Sequence, residues 1–152
     1  AGTSYDYTYF YITLPAERFR KGLEVISKIF LEPEITEQFV EKEKPIVLEE
    51  IVKTKDSPQE SFAETFNAYL FGNTPYGNPI LGYEESVKSF TKEAVERFYS
   101  ETYLPESMVL SVAGNVEEEK IVESVNEIFT KFKGTSPGRK VSFEKPKREG
   151  SS

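Results

Sequence analysis

The sequence predicts a mixed α/β chain in which several amphipathic helices lie between two apolar strands. The first strand is predicted over residues 5–14, where apolar and aromatic residues alternate with a period of two. The second is a short apolar run over residues 108–113. Elsewhere apolar residues recur every three or four positions, which is the spacing of amphipathic helices. Because two strands alone make a poor sheet, we expect their partner strands to lie outside this chain.

The first predicted strand has two different faces, since successive side chains of a strand point to opposite sides. One face carries Thr8, Phe10, Ile12 and Leu14, and the other carries Tyr5, Tyr7, Tyr9 and Tyr11. The tyrosine face is either a binding surface that offers rings and hydroxyls or a second buried face packed under helices. The sequence leaves both interpretations open.

Local signals mark the ends of the first three helices. Pro15 suits the first position of a helix, where its missing N–H costs nothing, and Pro33 ends that helix. Thr36 is placed to cap a second helix, and Pro45 inside that helix is expected to kink or loosen it. Pro58 opens the third helix.

The second half of the chain continues with a loop and two more helices. Residues 72–82 are rich in Gly, Pro and Asn, which predicts a loop. Thr91 caps the next helix, and the last helix follows a turn at residues 114–115. Its predicted core stripe consists of Ile121, Val125, Ile128 and Phe132. We therefore expect a partial domain over residues 1–133 and a polar linker or tail over residues 134–152.

Composition excludes several kinds of site and partner. The 152 residues include 19 basic and 26 acidic side chains, a net charge of −7, which disfavours nucleic acid and anionic membranes as partners. No apolar run approaches the roughly 20 residues that span a bilayer. The chain contains neither cysteine nor histidine, so it cannot by itself form a Ser-His-Asp triad or a zinc site with Cys or His ligands. A cytoplasmic location is our expectation.

An acidic cluster on the second predicted helix is the strongest candidate for chemistry. Its glutamates are Glu41, Glu43, Glu49 and Glu50, interspersed with Lys42 and Lys44. Glu43 and Glu50 share a face with Ile46 and Val47, which predicts that this face is buried. Buried carboxylates are normally paired or metal-bound. Lying about 10 Å apart along the axis, Glu43 and Glu50 cannot both bind one ion directly. The alternative is a solvated helix surface on which lysines pair with the glutamates.

Five segments of the chain, in order, are similar to segments of one known family. They are residues 1–4 with the aromatic strand, 39–51, 71–82, 98–105 and 108–116. They contain, for example, "FVEKEKPIVLEEI" and "FGNTPYGNPILG". On these motifs the chain resembles the pitrilysin/insulinase/mitochondrial-processing-peptidase family of zinc metallopeptidases, which carry an H-x-x-E-H motif.

The resemblance implies a fold, a cofactor and a set of partners. The fold is α/β (α+β), with helices backing a mixed or antiparallel sheet in part of a processing-peptidase-like metallohydrolase domain. Glu50 matches the glutamate that completes a zinc site with two histidines, and Glu43 matches a supporting acid. Zinc is thus expected in the complete protein, without tight binding to this chain alone. The implied partners are a peptide substrate, the remainder of the peptidase or a companion subunit, and further copies of the chain in a homo-oligomer.

In that family the H-x-x-E-H motif lies upstream of the first strand seen here, so we expect this chain to be a middle segment. Three hypotheses follow. The first is part of an active zinc endopeptidase whose histidines lie outside the chain. The second is a non-catalytic structural or substrate-binding subunit of the same family. The third is a helical interaction domain with an acidic face, unrelated to the family.

Overall fold

A computed structural model of the chain describes residues 1–134, which are mostly helical. The helices are α1 (Phe19–Leu31), α2 (Glu37–Asp56), α3 (Pro58–Phe71), α4 (Glu84–Ser89), α5 (Lys92–Thr102) and α6 (Glu118–Phe129). The strands β1 (Gly2–Thr3) and β2 (Thr8–Tyr9) form one small antiparallel sheet. The predicted α/β class is therefore supported only in part. The predicted linker lies outside the described residues, apart from Gly134.

The two strands predicted from the apolar patterns are largely absent from the described part of the chain. The strand predicted over residues 5–14 is regular only at Thr8–Tyr9, and residues 108–113 contain no strand. The prediction over residues 108–113 is wrong for this structure. A strand persists only where its N–H and C=O groups pair with a neighbour, and residues 1–134 supply no further strand to pair with.

The helix starts predicted at Thr36 and Pro58 are confirmed, because each depends on local chemistry. The start predicted at Pro15 is wrong, since a 3-10 turn over Ala16–Arg18 follows Pro15 and α1 begins at Phe19. The backbone N–H of Phe39 donates to Oγ1 of Thr36 over 3.2 Å and caps α2. Pro58 occupies the first turn of α3, behind a Ser57 cap. The helix α2 continues through Pro45 without interruption. The short helix α4 was not predicted, since six residues are too few to reveal a helical period.

The described residues form two compact units. The first unit contains residues 1–2, 9–35 and 93–134, and the second contains residues 3–8 and 36–92. Each helix within residues 1–134 is too short or too polar to traverse a lipid bilayer.

In the first unit, α1 packs against α6 around an aromatic cluster. The ring of Phe30 lies 5.5 Å from Phe10, 6.2 Å from Tyr103 and 6.4 Å from Phe132, centroid to centroid. These separations are typical of attractive aromatic pairs. The hydroxyl of Tyr99 donates to the carbonyl oxygen of Ile29 over 2.6 Å, which satisfies a C-terminal carbonyl of α1.

In the second unit, α2 packs against α3 and α4. Its buried apolar residues are Ile51, 5% exposed, and Val87, 3% exposed. A turn over Pro75–Gly77 packs against α3. Gly77 is required there, since a Cβ at this position would lie 2.0 Å from the carbonyl oxygen of Gly72.

We predict that Gly77→Ala destabilises the second unit by about 1–3 kcal/mol, because the new methyl group would force the backbone of Gly72 to move. Urea denaturation followed by circular dichroism measures the change. Asn73→Ala in the same loop is the control, and a Gly77→Ala variant as stable as that control would contradict the close approach.

A second prediction concerns the ion pair between Arg20 and Glu127, which joins α1 to α6 over 2.8 Å. The hydrogen bond from Arg20 lowers the pKa of Glu127. A carboxyl group with a lowered pKa stabilises the fold above its unfolded pKa of about 4.3 and loses that effect as pH falls through the folded pKa. We therefore expect Glu127→Gln to be less stable than the native chain at pH 7.

This difference should shrink as pH falls below the unfolded pKa of about 4.3 and should vanish once pH lies below the lowered pKa of Glu127, where the native carboxyl is protonated as well. Denaturation at a series of pH values tests the expectation, with Glu118→Gln on the same helix as the control. A difference that stayed constant across the series would show that the loss is not electrostatic.

Candidate functional site

The acidic cluster lies on α2, the longest described helix. Its N-terminus is capped by Thr36, and its C-terminal half is anchored through Ile51 where α2 packs against α3 and α4. Glu43 and Glu50 are seven residues apart, which is nearly two helical turns, so both project from the same side of α2. The prediction that Glu43 and Glu50 share one side of a helix is confirmed.

The prediction that this face of α2 is buried is wrong for the described residues. Ile46 is 44% exposed, and both Glu43 and Glu50 are exposed. The side that packs against neighbouring helices contains Ile51 instead, with Val47 half-buried. Which side of an amphipathic helix is covered depends on where other elements lie, and α2 carries apolar residues on more than one side. The side chains of Glu43 and Glu50 are therefore accessible to solvent on this side of α2.

The four glutamates of the cluster divide into paired and unpaired carboxylates. Glu41 accepts from Nζ of Lys44 at 2.5 Å, and Glu49 pairs with Lys53 at 3.2 Å. Within residues 1–134, the side chains of Glu43 and Glu50 form neither an ion pair nor a hydrogen bond. The alternative interpretation, a helix surface on which lysines pair with the glutamates, therefore holds for Glu41 and Glu49 only. The two glutamates that share a side keep their carboxylates available.

The donors in this chain suit a metal ion only in part. A glutamate carboxylate is a normal zinc ligand, with Zn–O distances of about 2.0–2.2 Å. However, residues 1–134 contain no group of three or more His, Cys, Asp or Glu side chains that could hold a metal ion. The chain as a whole contains no histidine. It can therefore contribute one carboxylate to a site and needs the other ligands from elsewhere.

An ion pair connects the end of α2 to the start of α4. Nζ of Lys55 donates to Oε1 of Glu84 over 2.7 Å, and Lys88 approaches Glu84 to 3.6 Å. The hydrogen bond lowers the pKa of Glu84 and raises the pKa of Lys55. Both residues, with Ile51, line a cavity of about 260 Å³. No sequence pattern indicates this link, since 29 positions separate the partners.

Within the second unit, two side-chain hydrogen bonds connect residues 3–8 to α3 and to the turn over Pro75–Gly77. The hydroxyl of Tyr76 donates to Oδ1 of Asp6 at 2.5 Å, and Nδ2 of Asn67 donates to the hydroxyl of Tyr5 at 3.0 Å. The bond to Asp6 raises the pKa of Tyr76. Asp6 is therefore a structural partner of Tyr76. Tyr5 and the other three tyrosines of the predicted strand face are exposed.

Because Glu43 and Glu50 have no partner in the described structure, we predict that Glu43→Gln and Glu50→Gln each change the stability of this chain by less than about 0.5 kcal/mol. Urea denaturation provides the measurement, and Glu41→Gln, which removes an ion pair, is the comparison. A loss above 1 kcal/mol at either position would indicate a structural role and contradict the availability of its carboxylate.

Comparison with known proteins places this chain in one family. Residues 1–84 match a family model described as "Insulinase (Peptidase family M16)", and residues 89–151 match one described as "Peptidase M16 inactive domain". The acidic helix α2 lies inside the first match.

Similar proteins occur in several bacteria. A protein of Rickettsia felis named "Uncharacterized zinc protease" is 33% identical over 94% of this chain and 34% of its own length. An uncharacterized zinc protease of Bacillus subtilis is 31% identical over 96% of this chain and 35% of its own length. One of Mycobacterium tuberculosis is 33% identical over 85% of this chain and 30% of its own length. The chain thus spans about a third of the length of these curated relatives, and it belongs to the insulinase family of peptidases.

Proposed function

We propose that this chain is part of a zinc-dependent endopeptidase and that Glu50 donates one carboxylate to the zinc site. The observation that carries the proposal is the pair of exposed, unpartnered glutamates on one side of α2. Neighbouring Glu41 and Glu49 are neutralised by lysines, whereas Glu50 is left to interact with a group from outside the described residues. Its segment matches the insulinase family model, and relatives over the same segment are named zinc proteases.

In this proposal the remaining ligands come from residues outside this sequence, because catalytic zinc takes three protein ligands and this sequence has no histidine. Two histidines with Glu50 make a complete set of that kind. We therefore expect this chain alone to be inactive and to bind zinc weakly. When bound, zinc polarises a peptide carbonyl and lowers the pKa of a coordinated water towards neutrality.

Glu43 supports Glu50 in this proposal rather than binding the same ion. The two glutamates lie about 10 Å apart along α2, which is too far for both to contact one zinc ion. From the same side of the helix, the Glu43 carboxylate can accept a hydrogen bond from a group that itself contacts the metal. Such outer partners orient the ligands of metal sites and tune their affinity.

A peptide is the substrate that suits the surface of the second unit. Its helix α3 exposes Phe62, Phe66 and Tyr69, which are 71%, 50% and 89% exposed. The rings of Phe62 and Phe66 stack with their centroids 6.1 Å apart. Aromatic rings at such positions bind apolar side chains of a peptide. The remainder of the peptidase, a companion subunit or another copy of the chain completes the assembly in this proposal.

A non-catalytic subunit of the same family is the second candidate. One observation favours it: the model matched by residues 89–151 is described as an inactive domain. In that case Glu50 would have no metal to bind, and the chain would act by holding a substrate or a companion subunit.

We predict that Glu50→Gln in the full-length protein abolishes peptide hydrolysis and lowers bound zinc at least tenfold, because the amide is a much weaker zinc ligand than the carboxylate. Glu43→Gln should lower kcat while retaining most of the zinc. Zinc content by atomic emission and hydrolysis of a fluorogenic peptide measure the two effects.

Glu49→Gln is the matched control, since it changes the neighbouring charge on the same helix but should leave both readings unaltered. Full activity of the Glu50→Gln variant would contradict the ligand role. A native full-length protein without zinc, which nevertheless alters the activity of a companion subunit, would favour the second candidate.

A further inference from the structure

Two apolar segments of the first unit, residues 9–14 and 108–113, expose much of their backbone and side chains. The N–H and C=O groups of residues 11–14 and 109–113 make no hydrogen bond to any other part of residues 1–134. Met108 already has the backbone angles of a strand, with φ −119° and ψ 146°. Val109 is 92% exposed and Tyr11 is 70% exposed. A row of unpaired backbone groups along an apolar segment is a template for pairing with another strand.

One side of residues 9–14 rests on α1, as the inner face of a strand would. The ring of Phe10 meets that of Phe30 edge to face, with the centroids 5.5 Å apart. Leu14 lies so close to Gly22 that a Cβ at Gly22 would collide with it. Tyr11 is offset by one position and is exposed. The alternation of covered and exposed side chains has the period of a β-strand, although residues 10–14 form no strand within the described chain.

Each segment leads into one of two helices that pack against each other. Residues 9–14 continue through the turn over Ala16–Arg18 into α1, and residues 108–113 continue through residues 114–117 into α6. The helices α1 and α6 are in contact. When the helices of two strand–helix units pack side by side, their strands usually belong to one sheet beneath them. The first unit therefore has the helical layer of a sheet whose strands are incomplete within residues 1–134.

We propose that residues 9–14 and 108–113 are docking edges for β-strands from the remainder of the full-length polypeptide, which complete a sheet beneath α1 and α6. The chain spans 34% and 35% of the length of the relatives from Rickettsia felis and Bacillus subtilis, so in proteins of that length about two thirds of the polypeptide can supply these strands. The occupant is a strand rather than a helix, because a strand pairs with a row of backbone N–H and C=O groups. This pairing requires neither Glu50 nor zinc and goes beyond the proposed function.

Hydrogen–deuterium exchange of the full-length protein, followed by mass spectrometry, tests this pairing. We expect the amides of residues 11–14 and 109–113 to exchange at least about 100-fold more slowly than those of an unstructured peptide, because exchange then requires the sheet to open. The amides of α6 are the protected reference. Exchange as fast as that of an unstructured peptide, in a full-length protein whose α6 is protected, would overturn the proposal.

Two other outcomes would assign these edges to a different occupant and would also overturn the proposal. Protection that disappears on dilution would identify a second copy of the chain. Protection that appears only after a peptide is added would identify a substrate. Zinc content and peptide hydrolysis are measured separately on the same preparation, so failure of the strand pairing is distinguishable from failure of the proposed function.

Proline substitutions in the full-length protein test the backbone pairing directly. Ser111→Pro and Val112→Pro each remove one N–H, and adjacent N–H groups of a strand point to opposite sides, so at least one variant loses a hydrogen bond to a neighbouring strand. We expect that variant to melt at least about 4 °C below its matched control, Ser111→Ala or Val112→Ala. Melting temperatures of both proline variants equal to those of their alanine controls would contradict the pairing. The exchange measurement on the native protein holds even if a proline variant fails to fold.

Discussion

Packing at the C-terminal half of α2 is the constraint on which the candidate site depends. Ile51 is buried where α2 packs against α3 and α4, and this burial determines which side of the helix stays open. Glu50 precedes Ile51 in the sequence and therefore lies beside the packed side, exposed but attached to a fixed part of the helix. A carboxylate on an anchored helix is better suited to metal binding than one on a loop, because its backbone cannot adjust freely.

Electrostatics then distinguishes the glutamates of α2 from one another. Lys44 and Lys53 pair with Glu41 and Glu49, while Glu43 and Glu50 receive no lysine within residues 1–134. Exposed ion pairs of this kind contribute little to stability, about 0.3–0.5 kcal/mol for neighbours on a helix. Their relevance is local: they occupy two carboxylates and leave the two on one side of the helix without a charged partner in the described part of the chain.

The sequence was informative where structure depends on neighbouring residues and misleading where it depends on distant ones. Thr36 and Pro58 mark helix starts through local hydrogen bonding and a fixed backbone angle, and both predictions are confirmed. The strand over residues 108–113 needed a partner strand that the described residues do not supply. The exposure of Ile46 and the 29-residue link from Lys55 to Glu84 depend on tertiary packing, which periodicity within one helix does not encode. The roles of Glu43 and Glu50 remain proposals.

The most direct measurement is a crystal structure of the zinc-loaded, full-length protein, with the metal located by anomalous scattering at the zinc edge. The ligand role of Glu50 predicts a carboxylate oxygen of Glu50 about 2.0–2.2 Å from the zinc ion, with two histidine nitrogens completing the protein ligands. Glu43 should lie beyond the ligand distance on the same side of α2. A zinc ion bound entirely by other residues, with Glu50 pointing to solvent, would contradict the central proposal.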